Sequence, residues 1–257
     1  MSGPSAAPVP SRPAPPPGHR WGWTFGLLGV LLAGAAVVVL HSPWMSVREV
    51  EIIGAVHADA AGRLAAAGVG EGAIMIWLKP GEIEEAVAAD PWVREVRVER
   101  IFPGRLVIEV LEHTPAVWVG GEETWMLVAR AGVVIATGDA PGEGLLRAQV
   151  FYEDHEAGEQ LEGAEWGELA ALGPALGPEL AARAWVTREG GELWLEADGY
   201  RARLGPAIQL ADKGRAFTAL LAEGLPAGSR LDLISPTRPA VNGPAGEAGN
   251  GESEPLG

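Results

Sequence analysis

The chain has 257 residues, enough for one or two domains, a formal net charge of −15 and no cysteine. The missing cysteine excludes a disulfide framework, a thiolate nucleophile and a Cys-based metal site, and suits a domain that folds outside the cytoplasm without staples. Of the 19 basic and 34 acidic side chains, only Arg12 and Arg20 fall in residues 1–43, which leaves 17 against 34 in the rest. A body that acidic repels nucleic-acid phosphates, so DNA or RNA is not an expected partner.

Residues 2–18, SGPSAAPVPSRPAPPPG, are rich in Pro, Ala and Ser and cannot bury a core; residues 1–20 are expected to form a disordered cytoplasmic tail. Trp21–Leu40 then runs for 20 residues without a charge. As a helix it would measure roughly 30 Å, the thickness of a bilayer's hydrocarbon core. Trp21, Trp23 and Trp44 stand where aromatic belts stand, and Arg12 and Arg20 precede the apolar run. The expectation is a transmembrane helix over 21–41, its N-terminus in the cytoplasm and the bulk of the chain outside. A cleaved signal peptide is the competing reading. The run is long for one, however, and the following HSPWMS lacks a small-x-small cleavage site. Gly22 and Gly26 have the spacing of a helix-dimer face, a spacing also common in ordinary spans.

In the next unit, SVREVEIIG (46–54) alternates as a strand, with Val50 and Ile52 on one face. Residues 57–68 are Ala-rich and helical, 72–78 form an apolar link, and Pro80 opens a second helix that stops at Asp90-Pro91. Strands follow at 93–101 and 105–112 around Pro103-Gly104. Val96, Val98, Leu106, Ile108 and Val110 share the buried face. Glu95, Arg97, Glu99, Arg105 and Glu109 share the other, together with Val107 and Leu111. Helices are expected to cover the apolar face and leave the charged face to solvent or to reversible protein contacts. Simple cross-strand pairing explains the same charges without any partner.

Beyond this lies a second, mostly antiparallel β domain over 116–241. Strand-turn-strand is expected at 124–138 and a strand at 148–153. Helical pieces at 160–183 are expected to break at Gly173-Pro174 and Gly177-Pro178. A meander over 182–205 turns at Gly190-Gly191 and Asp198-Gly199. A helix over 206–224 buries Ile208, Leu210, Phe217, Leu220 and Leu221, and a last strand covers 229–236. Residues 242–257, dominated by Gly, Glu and Ser, read as a disordered tail. The fold class is therefore α+β: one span, a β-α-α-β-β unit over 45–115, then the β domain with its C-terminal helix and strand.

Groups suited to catalysis are sparse. The five histidines, His19, His41, His57, His113 and His155, show no metal-ligand spacing. Gly68-Val69-Gly70-Glu71-Gly72 follows a helix and precedes an apolar link, the reverse of a dinucleotide loop. The acidic run at 153–165 lacks the alternation of a calcium loop. Neither a cofactor, a metal nor a small-molecule substrate is expected. Trp92, Trp118, Trp125, Trp166, Trp185 and Trp194 are spread along the body and are expected mostly in packing, with one or two facing a partner.

A short N-terminal tail, one span, and then Val47, Val50, Ile52, Gly54, Pro91-Trp92-Val93, Val96, Val98, Arg100, Pro103, Leu106, Ile108, Val110, Glu112 and Pro115-Ala116 form a pattern. It resembles the POTRA domain of the FtsQ/DivIB family of bacterial cell division proteins. The stretch at 125–133, the helix bearing Lys213 and LDLISPTRPAV at 231–241 are similar to the β domain of that family. The resemblance implies a non-enzymatic scaffold of the cytoplasmic membrane at the division septum. Such a scaffold recruits FtsB and FtsL and, through them, septal peptidoglycan synthesis proteins, using exposed sheet edges. By position it assigns partner binding to Arg230, Leu231, Asp232, Leu233, Ile234, Ser235 and Thr237, with Lys213. Pro236 and Pro239 depart from an edge that must donate N–H groups, and aromatic anchors are replaced by Ile234 and Ser235. A different POTRA-type assembly factor and an anchored extracytoplasmic enzyme are the alternatives. The first class repeats its units before a barrel, and the second needs a catalytic constellation.

Overall fold

In the computed structural model the described residues are 19–40, 45–226 and 228–243. The Pro-rich tail expected at 2–18, Trp44, and all but the first two residues of the tail expected at 242–257 lie outside them. Helix α1 (His19–Leu40) has 22 residues, and its described side chains from Trp23 to Val38 are all exposed. Among the described residues no helix is long and apolar enough to cross a membrane.

The first globular unit is built from β1 (Glu49–Ile53), α2 (Ala60–Ala66), α3 (Pro80–Ala88), β2 (Val93–Ile101) and β3 (Arg105–Glu112). Its sheet has the order β1-β3-β2, with β1 and β3 parallel and β2 and β3 antiparallel. Helix α2 is shorter than the 57–68 expected, because its N-cap is Asp59, whose Oδ1 accepts from Gly62 N at 2.9 Å. Helix α3 starts on Pro80, whose missing donor costs nothing at a first turn. The helices lie over one face and enclose Val47, Leu64, Met75, Ile83, Val87, Leu106 and Ile108. Gly54 ends β1 at φ +86, and a Cβ there would stand 2.2 Å from Val110 O, so the close approach to β3 requires glycine. On the open face Arg105 ion-pairs with Glu51 and lies 3.9 Å from Glu49. Val107, expected among the charges, is nonetheless buried; its neighbours in register are Glu51 and Glu99, whose stems flank it.

The second unit has one nine-stranded sheet. Its strands are β4 (Pro115–Gly121), β5 (Trp125–Ala129), β6 (Val134–Gly138), β7 (Leu146–Tyr152), β8 (Trp185–Glu189), β9 (Glu192–Ala197), β10 (Tyr200–Gly205), β11 (Arg230–Asp232) and β12 (Ala240–Asn242). They lie in the order β12-β11-β10-β9-β8-β7-β4-β5-β6. The sheet is mixed: β4–β7, β7–β8 and β10–β11 are parallel, and the remaining pairs antiparallel. Strand β4 carries residues that resemble the end of the first unit, yet it pairs between β5 and β7 of the second.

One face of this sheet is covered by α4 (Ala164–Leu176), the single turn α5 (Pro178–Ala181) and α6 (Leu210–Ala222). The break expected at Gly173-Pro174 is absent: α4 runs through to Gly177. Leu169, Leu172 and Leu176 are buried on the sheet, and Pro174 sits in the last turn, where losing one donor is tolerated against that burial. Ile208 is also not where expected. It is 60% exposed and precedes α6, because Gln209 takes a left-handed φ of 56° that the helix cannot propagate through. The turns at Gly190-Gly191 and Asp198-Gly199 occur as read, with positive φ at all four residues.

Candidate interaction surface

The expected docking strand ends sooner than its sequence suggests. Strand β11 stops at Asp232, and residues 233–239 turn back so that Ala240–Asn242 returns antiparallel to it. On its other side β11 pairs in parallel with β10. The backbone of Arg230–Asp232 is therefore paired on both sides, which corrects the expectation of a bare edge there. Pro236 and Pro239 explain the turn: neither can donate in a ladder, so the chain leaves the sheet at the first and re-enters after the second.

The side chains assigned to this region separate into two groups. Leu231 and Leu233 are buried and belong to the core under α6. Arg230, Ile234, Ser235 and Thr237 are exposed. Asp232 accepts from Ile234 N at 3.1 Å and stands 3.5 Å from Arg203. Ser235 O accepts from Arg238 N at 3.2 Å, and the Ser235 and Thr237 hydroxyls are 3.4 Å apart, so these residues shape the turn.

Lys213 is not on the surface at all. It is 2% exposed, and its ammonium donates to Leu204 O at 2.6 Å and Pro206 O at 3.1 Å. Burial holds its pKa below the ordinary lysine value, with nearby Glu168 acting the other way. It closes the end of β10 against α6 and has no surface to offer a partner.

The outer border of the sheet is β12, which the sequence reading did not separate from the turn before it. Leu233 N donates to Arg203 O on β10, so Leu231, two residues back on β11, also faces β10. Arg230 and Asp232 then face β12 and bond Asn242 and Ala240, their partners in register. That alternation leaves the N–H and C=O of Val241 pointing away from the sheet. The Val241 side chain is 42% exposed, and Ile234, in the turn that follows β11, is 41% exposed. The signal was present in the sequence: Pro-Thr-Arg-Pro between two short apolar pairs is a turn composition.

The sheet face away from the helices carries half-buried Trp125, Trp185 and Trp194. Trp125 meets Trp185 edge-on at 5.9 Å, Arg147 lies over Trp185 and Arg201 over Trp194. Arg203 forks onto Glu192 at 2.6 and 2.7 Å, and that pairing, against a smaller effect of burial, holds Glu192 below its ordinary pKa. These ring contacts and ion pairs run between neighbouring strands, while Arg147 Nε is buried without a hydrogen-bond partner among the described residues.

Residues 45–113 match the family model described as "POTRA domain, FtsQ-type". The chain is 32% identical over 115 residues to the cell division protein FtsQ of Mycolicibacterium smegmatis, covering 45% of this chain and 34% of that protein. It is 28% identical over 116 residues to FtsQ of Corynebacterium glutamicum, covering 45% and 52%. It is 26% identical over 216 residues to FtsQ of Mycobacteroides abscessus, covering 84% and 67%. Residues 45–113 therefore form a POTRA domain of the FtsQ type, and the chain is similar to cell division proteins FtsQ over that domain and beyond it. Its matches span about a third to a half of the length of the first two of these relatives.

Within the FtsQ-type POTRA domain, Glu84 on α3 accepts from Val98 N at 2.9 Å and so covers part of the β2 border. At the far border of the second sheet, Val134 N donates to Glu159 O and Gly158 N to Val134 O, which covers the start of β6. The border at β12 has no such cover among the described residues. Among the described residues there is no group of three or more His, Asp or Glu able to bind a metal ion.

Proposed function

We propose that this chain is a cell division scaffold of the cytoplasmic membrane. In this reading it sits at the septum, N-terminus inside, and recruits FtsB- and FtsL-like proteins and, through them, septal peptidoglycan synthesis proteins. The observation that carries the reading is the pairing of an FtsQ-type POTRA domain with a second sheet whose last strand, β12, leaves the Val241 amide and carbonyl turned outward. A partner strand laid there gains main-chain hydrogen bonds, and the exposed Val241 side chain supplies apolar contact on the strand itself. The anchor is read from the sequence: Trp21–Leu40 contains no charged residue and as a helix would measure roughly 30 Å.

A photo-crosslinking amino acid at Val241 in growing cells tests this. Capture of small single-span division proteins, and filamentous cells on depletion of the chain, are the expected results. Normal septation after depletion overturns the scaffold reading, and crosslinks that form equally from Thr137 on β6 overturn the assignment of the border.

A further inference from the structure

The POTRA domain exposes large apolar side chains at one end. Trp77 is 68% exposed, Phe102 53%, Ile76 45% and Ile101 40%. Two separate segments carry them, the link before α3 and the turn between β2 and β3, and the backbone brings the two together. Arg100 Nη1 donates to Leu78 O at 2.9 Å, tying the link to the end of β2. Between them runs the entry to β1: Met75 N donates to Met45 O at 2.8 Å, Val47 N to Ala73 O at 2.8 Å, and Arg48 N to Gly104 O at 2.7 Å.

That entry strand is also the exit from α1. Only residues 41–44 separate Leu40 from Met45, a tether of roughly 18 Å at full stretch. The end of the domain carrying Trp77 and Phe102 is thus held within a short reach of the apolar helix, whose side chains from Trp23 to Val38 are exposed. Aromatic and aliphatic side chains at such a level partition into the headgroup boundary. An exposed apolar lip elsewhere on a domain this acidic would be an aggregation liability.

We infer that Ile76, Trp77, Ile101 and Phe102 form a lipid-docking lip that seats the POTRA domain on the outer leaflet. The inference rests on the membrane-anchored reading of α1. It fixes the tilt of the ectodomain relative to the bilayer, and so the height at which β12 meets a partner. Attachment is apolar, since 17 basic against 34 acidic side chains beyond residue 43 give no general attraction to anionic headgroups.

The chain contains no cysteine, so single cysteines can be introduced and labelled with nitrobenzoxadiazole. The full chain is placed in phosphatidylcholine vesicles carrying doxyl-labelled lipid. Ile76→Cys and Ile101→Cys report on the lip, Val30→Cys on α1, and Glu223→Cys at the end of α6 serves as the exposed reference. The expected result is a blue shift and loss of emission at 76 and 101 with a shallow doxyl group, unchanged by added salt, and neither effect at 223. Loss at 30 with a deep doxyl group establishes the anchor independently. If 30 is quenched while 76 and 101 behave like 223, the lip is overturned and the anchor stands. If 30 is not quenched, both readings fall. A blue shift at 76 and 101 without quenching means that protein covers these residues, and this also overturns lipid docking. Introducing Trp77→Glu and Phe102→Glu together should abolish the blue shift at 76 while leaving the quenching at 30 intact.

Discussion

The imidazole of His57 lies flat on the indole of Trp92, ring centroids 4.3 Å apart and planes 13° from parallel. Trp92 also packs on a cluster of the other sheet, Leu127, Ala129 and Ile135. His113 N also donates to Trp92 O at 2.8 Å, immediately before the chain enters β4. One side chain of the POTRA domain thus makes an apolar contact that joins it to the β domain. Trp92→Ala should cost about 2–3 kcal/mol, less than truncation of a fully buried aromatic because the ring is only partly buried. Denaturant unfolding should change from one transition to two as the sheets uncouple. A single transition at the unmodified midpoint would show that the seam is held elsewhere.

The same corner holds a strongly depressed carboxylate. Glu112 Oε1 accepts from Val56, His57 and Ala58 N at 2.7, 2.7 and 2.8 Å, and Oε2 faces His57 Nδ1 at 2.9 Å. Partial burial pushes this carboxyl up, but the four hydrogen bonds outweigh it and hold the pKa at about 2. A depressed carboxylate stabilises the fold above its ordinary pKa, and that stability is lost as pH falls through the folded value. Acid unfolding should therefore steepen between about pH 4.5 and pH 2, with up to about 3 kcal/mol at stake. Glu112→Gln should remove most of that slope and cost about 2 kcal/mol at neutral pH. An unchanged acid limb in the variant would rule the group out as its source.

The POTRA domain was legible in the sequence because period-two alternation, Pro80 and the Pro103-Gly104 turn all point to the same elements. The second sheet was legible as strands but not as an order. Parallel pairs such as β7–β8 join segments separated by α4 and α5, and no local pattern encodes which strand a returning chain will meet. Two local readings failed where tertiary burial or a single backbone angle decided the outcome: Pro174 inside α4, and Gln209 ahead of α6. The partner surface was the least legible part. Leu231 and Leu233 are letters on an apparent edge, and Lys213 a charge on an amphipathic helix, until β12, β10 and α6 are placed together.

Lys213 provides a direct separation of structural from binding roles. Lys213→Met keeps the volume but leaves Leu204 O and Pro206 O without their donor, and should cost about 1–3 kcal/mol. Thermal melting measures this. Partner capture from the folded fraction should be unchanged, since the side chain is buried. Reduced capture at full stability would restore it as a contact residue.

A proline scan across β12 distinguishes the inner side of the strand from its border. Val241→Pro removes an N–H that points outward and keeps the bonds of Ala240 and Asn242 to β11. Stability should stay within about 0.5 kcal/mol. Crosslinking to the partner from Ile234 should fall sharply, because an added strand loses its central main-chain donor. Asn242→Pro removes the N–H that faces Arg230 instead, and should cost about 1 kcal/mol through the β11–β12 ladder. A partner that binds Val241→Pro as well as the unmodified chain does not dock by adding a strand here, and the exposed side chains of Ile234, Ser235 and Thr237 become the surface to test.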